Sequence, residues 1–515
     1  MMKNTAGRLP AWLEDAVFYE IYPQSFQDSD GDGIGDIPGM IDRLDYIKDL
    51  GCNAVWVNPW YDSPFGDAGY DVRNYKKVAP RYGTNEDAKR FFDEAHKRGM
   101  HVLIDLVPGH TSIDHPWFKE SAKPEHNEYT DRYLWTDNTW TVPQNTAYLR
   151  GMYDRNGIAL ANYFSHQPAL NYGFAHPTAP WMMPPDSPAA LKTREAIKDV
   201  MRFWLDLGTD GFRVDMALKL VKDDDEGRPE NIRLWQDFRA FLDREYPHCA
   251  MVSEWGVPKE SIAGGFHMDF MLHFGPPAYT SLFRSEHPFF SKEGKGDITL
   301  FLDTYLPALA STGGKGLICI PSGNHDMPRL SRGRDMLDLK ICFAFLLTMP
   351  GAPFLYYGDE IGMRYLEGLT SVEGGYHRTG SRSPMQWKGG YGFGFTASAT
   401  SYIPFDKSPD APTVSEQATD DDSLWHAVKA LLRVRNTHKA LQSFGDFKPL
   451  FAEKQTYPFL YERRARGERI VVALNPANRA VSLPFPLDGE ILWSVGTAPE
   501  NKTMSACSAA VILMK

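Results

Sequence analysis

From Ala16 to Leu441, short apolar runs alternate with amphipathic stretches. Eight runs read as strands: Ala16–Tyr22, Ala54–Pro59, His101–Val107, Gly211–Asp215, Ala250–Glu254, Met268–His273, Leu317–Ser322 and Pro353–Tyr357. Between them, Asp87–Arg98, Leu191–Leu207, Asn231–Glu245, Ile298–Ala310 and Met336–Leu347 carry helical periodicity. The strands are too uniformly apolar to keep one face in water, which predicts a parallel sheet covered by helices. Eight strand–helix units close such a sheet into an α/β fold, the (β/α)8 or TIM barrel.

Two long excursions break the rhythm, one from His110 to about Asn171 and one from Gly358 to about Asp422. Both leave from strand C-terminal ends, where the loops of such barrels build active sites. The stretch Ser423–Leu441 supplies the eighth helix, and beyond Gln442 the pattern turns to short alternating strands such as Phe459–Arg463, Ile470–Leu474 and Ala480–Leu483. The expected organisation is a barrel formed by residues 1–109 and 176–441, an inserted domain over 110–175, and a β domain over 442–515.

Composition narrows the partner. A net charge of −11 argues against nucleic acid or an acidic membrane, which select clustered Lys and Arg, and favours a neutral small molecule. No run of about 18 apolar residues occurs, and Met1–Pro10 lacks a signal-peptide core, so a cytoplasmic protein is expected. Five cysteines without CxxC spacing read as free, mostly buried thiols.

The chemistry gathers where strands end. The third closes with Asp105-Leu-Val-Pro-Gly-His110, the fourth with Gly211-Phe-Arg-Val-Asp215, the fifth with Ser253-Glu254-Trp255 and the seventh with Gly323-Asn-His-Asp326. Carboxyls converging on one bowl are costly unless used, because like charges and burial raise their pKa values. Asp215, Glu254 and Asp326 are the inventory for cleaving a glycoside with retention: an ionised nucleophile, a protonated acid, and a third charge facing the sugar carbon. Arg213 lies two residues before Asp215, on the same strand face, and is expected to hold it ionised.

At these residues the chain resembles the α-amylase family of glycoside hydrolases, in particular its small-oligosaccharide branch of oligo-1,6-glucosidases, α-glucosidases and trehalose synthases. Ala16-Val-Phe-Tyr-Glu-Ile-Tyr-Pro-Gln-Ser-Phe, Gly69-Tyr-Asp-Val, Gln167-Pro-Ala-Leu-Asn171, Tyr357-Gly-Asp-Glu-Ile-Gly362 and Arg382-Ser-Pro-Met-Gln-Trp387 support it. The resemblance implies Asp215 as nucleophile, Glu254 as acid/base and Asp326 as transition-state stabiliser. It implies His110 and His325 on sugar hydroxyls, Tyr70 stacked on the sugar, and Arg213 and Phe164 in the binding set. It also implies an Asp67–Arg382 pair that closes the far end of the bowl around a terminal sugar, making the enzyme exo-acting. The insertion is then the family's domain B, and the tail its β-sandwich domain C.

Two positions depart from the family. Gly109 stands where Asn usually precedes the His of the third-strand motif, which removes a ligand of the calcium site that this Asn serves in many amylases. Ala169 replaces the Asp of Gln-Pro-Asp-Leu-Asn. A separate calcium signal is Asp28-Ser-Asp30-Gly-Asp32-Gly-Ile34-Gly-Asp36, in which alternate carboxylates and the Ile34 carbonyl would wrap a structural Ca²⁺. Its twelfth position is Gly39 rather than the Glu of an EF-hand.

Three other activities compete with hydrolysis of short α-glucosides. Transfer or isomerisation would use the same intermediate, and Tyr163-Phe-Ser-His-Gln-Pro resembles the trehalose synthases. A phosphorylase would use phosphate as acceptor. A non-catalytic relative, such as a transporter heavy chain, would lack the three carboxyls. Met216, after the nucleophile, matches neither usual choice for α-1,4 or α-1,6 linkage and leaves the sugar open.

Overall fold

The computed structural model describes residues 9–143, 146–149, 153–274, 276–500 and 502–515. Most of the Met1–Pro10 segment lies outside them. All eight expected strands form: Phe18–Ile21, Ala54–Val57, His101–Leu106, Gly211–Val214, Ala250–Ser253, Met268–Phe270, Leu317–Cys319 and Phe354–Tyr356. They pair in parallel in the order seventh, sixth, fifth, fourth, third, second, first, eighth. A parallel bridge between Pro321 and Phe354, with the Ser322 N–H donating to the Phe354 carbonyl at 2.9 Å, joins seventh to eighth and closes the barrel. Ring stacking of Phe18 on Phe354, with Trp56 and Phe270 against the same ring, fills its lower interior.

Local chemistry fixes the helix starts. Thr84 and Asp87 form a capping box on Asn85–Lys97, as do Asp335 and Asp338 on Met336–Leu346, while Ser187 caps Pro188–Leu207. The last helix begins three residues before the expected Leu191, because proline at the first position costs no hydrogen bond. Two short helices that the periodicity did not mark, Ile37–Asp42 and Leu44–Leu50, connect the first two strands.

The third-strand excursion runs to the helix at Pro188 and is stitched to the barrel rim by bridges His110–Ala169 and Tyr133–Leu170. The eighth-strand excursion returns only at the helix Leu424–Thr437. The tail forms a five-stranded antiparallel sheet, and the two-stranded ribbon Val481–Ser482/Thr503–Met504 packs on it through Leu460, Ala473 and Leu483. Its other face covers Met336–Leu346, a helix buried all round from Asp338 onward. All five cysteines are free, and no described helix is long and apolar enough to cross a membrane.

Candidate active site

Strand geometry sets the floor of the bowl. The Arg213 guanidinium, 1% exposed, reaches Asp105 Oδ1 at 2.7 Å and Asp215 Oδ1 at 3.0 Å through Nη1, and Glu254 Oε2 at 3.0 Å through Nη2. Asp105 is completed by the Trp56 indole N–H at 2.8 Å. Three carboxyls from three adjacent strands therefore share one cation. This corrects the expectation for Arg213: it lies beside Asp215, but burial first and Glu254 second push the Asp215 carboxyl well above its ordinary range. A cation divided among three acids offsets only part of that rise. Asp105 is likewise raised to about 6, chiefly by burial.

Met216 follows the nucleophile candidate in the left-handed region, at φ 42°. That turn aims its N–H at Glu254 Oε2, 2.9 Å away. A side chain in this conformation is strained, and strain of this kind concentrates where a backbone donor must be aimed.

Asp326 is held differently. Arg378 Nη1 at 2.7 Å and Arg382 Nη2 at 3.0 Å both reach its Oδ1, and His325 Nε2 lies 3.5 Å from Oδ2. Burial alone would raise Asp326, yet its neighbours hold it far below the usual carboxylate range. Because burial keeps His325 itself neutral, the two guanidiniums carry that effect. Asp326 is thus a fixed anion opposite the Asp215–Glu254 pair.

The wall residues gather as expected, with one exchange. Asp67 accepts from Gln167 Nε2 at 2.7 Å and pairs with Arg378 at 3.4 Å, rather than with Arg382. Arg382 is turned inward, its Nε donating to the His325 carbonyl at 2.9 Å. Both arginines leave the same loop four residues apart, and nothing in the sequence distinguishes which one reaches the wall. Burial raises Asp67 to about 6. Tyr70 places its hydroxyl 2.9 Å from His325 Nε2, with the rings stacked at 5.5 Å. Phe164 stacks on His166 and meets Tyr163 and Tyr376 at the rim.

His110 presents Nδ1 to Asn162 Nδ2 at 3.0 Å, and among the described residues its Nε2 has no hydrogen-bond partner. Burial lowers it to about 3, so it is neutral. Asn162 in turn accepts from the Lys222 ammonium at 2.9 Å. A Cβ at Gly109 would stand 2.7 Å from the Asn162 amide, so this residue of the third-strand excursion occupies the room that a larger residue at 109 would need.

These side chains enclose a cavity of about 370 Å³, within the usual range for small-molecule sites. Asp67, His110, Asp215, Glu254, Asp326 and Arg378 are among the polar groups that line it. Tyr163, Met216, Leu218, Lys219, His273 and Phe274 line it as well. Of these, the sequence reading singled out Met216 and the segment beginning at Tyr163, but not Leu218, Lys219, His273 or Phe274, because they lie beyond strand ends where the local pattern does not determine the path of the chain.

The acidic loop after the first strand brings one carboxylate oxygen each of Asp28, Asp30 and Asp36 within 4.8 Å of one another. Asp32 lies outside that trio, its Oδ1 accepting from the Ile34 N–H at 2.7 Å. Among the described residues no Lys or Arg pairs with any of the four acids. Burial and the neighbouring acids raise Asp32, and burial raises Asp36 against its own hydrogen bonds. An all-oxygen cluster lacking a counter-cation suits a hard divalent ion.

Residues 20–443 match the family model described as alpha-amylase, catalytic domain. The trehalose synthase/amylase TreS of Mycobacterium tuberculosis (strain ATCC 25618 / H37Rv) is 32% identical, the match covering 97% of this chain and 88% of that protein. An oligo-1,6-glucosidase of Heyndrickxia coagulans is 31% identical over 93% of this chain and 94% of its own length. Among solved structures, the α-glucosyl transfer enzyme XgtA superposes with a TM-score of 0.82 at 27% identity, covering 99% of this chain and 100% of that one. A variant of the trehalulose synthase MutB in complex with the substrate sucrose gives 0.83 at 25% identity over 98% and 100%. A closed parallel barrel, acids at the ends of its fourth, fifth and seventh strands, and a family match spanning both long excursions lead to one conclusion: the chain is a glycosidase of the α-amylase family.

Proposed function

We propose that this enzyme is a retaining, exo-acting α-glucosidase for short oligosaccharides, working through a covalent glucosyl-enzyme. The observation that carries this reading is the binding of Asp215 and Glu254 by the two terminal nitrogens of one buried guanidinium, opposite the fixed anion Asp326. Retaining cleavage needs a carboxylate nucleophile and a proton-donating carboxyl close enough to flank one glycosidic bond, and a shared guanidinium holds the two that close. Asp215 attacks the anomeric carbon as Glu254 gives its proton to the leaving oxygen. Water, activated by Glu254 as base, then breaks the ester formed on Asp215. Asp326 opposes the positive charge that develops on the sugar ring. His110 and His325 hold hydroxyls of that sugar, with Tyr70 against its face and Phe164 at the rim.

Asp67 and Arg378 close the far wall, since a charge-assisted pair both binds a terminal hydroxyl and fills the space a further sugar would need. Arg382 contributes from beneath by fixing Asp326. The Asp28–Asp36 loop holds a structural Ca²⁺ through Asp28, Asp30 and Asp36, with Asp32 and the Ile34 carbonyl available to complete the shell. Five free thiols suit a reducing cytoplasm, where we place the enzyme. The deciding test is proton NMR of fresh product from a short α-glucoside: the α-anomer must appear first, and initial β-anomer would remove Asp215 from its role.

A second reading, transfer of the glucosyl group to another sugar or isomerisation, has support in the 32% identity to TreS and in the likeness to an α-glucosyl transfer enzyme. The apolar part of the cavity lining favours it, because side chains such as Tyr163, Met216, Leu218 and Phe274 would keep water from competing with an acceptor sugar. Incubation with maltose separates the two: free glucose alone marks hydrolysis, whereas trehalose or longer saccharides mark transfer.

A further inference from the structure

Glu20 stands on the first strand at the upper end of the barrel interior, fully buried. No Lys or Arg lies within ion-pair distance of it among the described residues, and its only ionisable partner there is His325. Its Oε1 is 2.9 Å from His325 Nδ1, while Oε2 has no hydrogen-bond partner. Asp105, a neighbouring interior acid, has both oxygens engaged, by Arg213 and Trp56. An ionised Glu20 would leave one fully buried oxygen bare next to the interior acid Asp105 and beneath a cavity lined by Asp215, Glu254 and Asp326, an arrangement of high cost. Burial raises its pKa well above the ordinary range, and Asp105 and Asp326 add to the rise against Arg213 and Asn58.

A neutral carboxylic acid owns one O–H, and the acceptor beside it is His325 Nδ1. The Asn58 side-chain amide nitrogen, which can only donate, lies 3.1 Å from the same Nδ1. Two donors converging on one ring nitrogen require it to be the unprotonated one. The ring hydrogen of His325 then sits on Nε2, the atom facing Tyr70 at 2.9 Å and Asp326 at 3.5 Å.

We infer that Glu20 is a positioning residue that acts as a protonated acid behind His325, fixing the imidazole with Nε2–H turned toward the bowl as a hydrogen-bond donor. The consequence is specific to one sugar hydroxyl. With Nε2–H fixed, His325 must donate to that hydroxyl, whose own hydrogen is left for Asp326. With the opposite tautomer, His325 would accept, and the hydroxyl would be pushed against Asp326 with no hydrogen left to give it. Glu20 thereby selects the hydrogen-bond direction at a site it does not touch. The inference rests on reading His325 as a sugar-binding residue.

Long-range proton–nitrogen NMR of ¹⁵N-histidine-labelled free enzyme tests the tautomer without substrate, with the His325 signal identified by its loss in His325→Gln. The expected result is an unprotonated Nδ1 and protonated Nε2 in the wild type and in Glu20→Gln, whose amide also donates to Nδ1. Glu20→Leu, of similar volume, should lose that fixed tautomer and lower kcat/KM by about 10- to 100-fold, whereas Glu20→Gln should stay within about 3-fold. Across monodeoxy α-glucosides the Glu20→Leu defect should vanish for the one lacking the hydroxyl held by His325. A protonated Nδ1 in the wild type overturns the inference, as does a Glu20→Gln variant as impaired as Glu20→Leu, or a Glu20→Leu defect equal on every deoxy sugar. If Glu20→Leu does not fold, the wild-type spectrum and the Glu20→Gln activity still decide. The anomer test of Asp215 is independent of each of these results, so failure of the glucosidase reading is separately visible.

Discussion

Asp215 and Glu254 share the Arg213 guanidinium whereas Asp67 pairs with Arg378, and their substitutions should separate by role. Asp215→Asn removes the group that forms the ester, so turnover should fall by about 10⁴-fold or more with the melting temperature little changed. Glu254→Gln should be comparably slow on natural linkages yet retain activity on a glucosyl fluoride, whose leaving group needs no proton. Initial rates on both substrates check the pair, and more than about a tenth of wild-type turnover in Asp215→Asn would place the nucleophile elsewhere. For Asp67, burial raises the pKa to about 6 although Arg378 and Gln167 pull it down. Below that value Asp67 is neutral and Arg378 loses an anion on the sugar wall, so kcat/KM should drop as pH falls through about 6. Asp67→Asn should be weak and insensitive to pH over that span. Stability moves the opposite way: a folded pKa above the unfolded one means the native state binds the proton more tightly. That contribution is full below the unfolded pKa and is lost as pH rises through about 6. Thermal scans at two pH values should therefore show a smaller loss toward neutrality in Asp67→Asn than in the wild type.

At the scale of elements, the acidic loop after the first strand is tied to the long eighth loop as well as to itself. Asp28 N–H donates to the Phe395 carbonyl at 3.0 Å, Gln27 Nε2 to the same carbonyl at 2.8 Å, and Thr396 Oγ1 to Asp28 Oδ2. That eighth loop also carries Arg378 and Arg382. An ion in the acidic loop would brace the segment that positions Asp326 while staying apart from the reacting atoms. Excess chelator should lower the melting temperature, since a ligand that binds only the folded state stabilises it by mass action, and should leave turnover at moderate temperature largely intact. An unchanged melting temperature, with no metal by elemental analysis, would leave only an Asp/Gly-rich turn. The eighth loop has a second anchor in Arg81, whose Nη1 lies 2.7 Å from Glu373 Oε1, so two independent ties hold it over the cavity.

The whole molecule determines how much of a substrate can enter. The bowl is floored by the barrel, walled on one side by the third-strand excursion through Asp67's partner Gln167, and on the other by the eighth-strand excursion through Arg378. Both excursions meet at Asp67, and on the exo-acting reading proposed above this contact closes the far end so that a chain is engaged by its terminus. Maltooligosaccharides should shorten one glucose at a time from the non-reducing end, and starch should be a poor substrate. Chromatography of the early products checks this, and rapid loss of starch viscosity with mixed mid-length products would mean that the cleft is open at both ends.

The chain's local order determined the eight strands and the barrel they form, and it placed Asp215, Glu254 and Asp326 at strand ends as the candidate acids. Strand periodicity and strand-end acids are properties of neighbouring residues, and alternation along a strand placed Arg213 beside Asp215. Only the tertiary structure decided how charge is distributed among them. That Arg213 is divided among three acids depends on strands far apart in the sequence, such as those of Asp105 and Arg213 108 positions apart, being adjacent, with burial deciding the pKa direction. That Arg378 rather than Arg382 reaches Asp67 depends on the path of a loop 311 positions distant. The pairing of Glu20 with His325, 305 positions apart, is equally invisible along the chain. Periodicity reports which face of an element is buried, whereas hydrogen-bond direction and proton sharing depend on which other element that face meets.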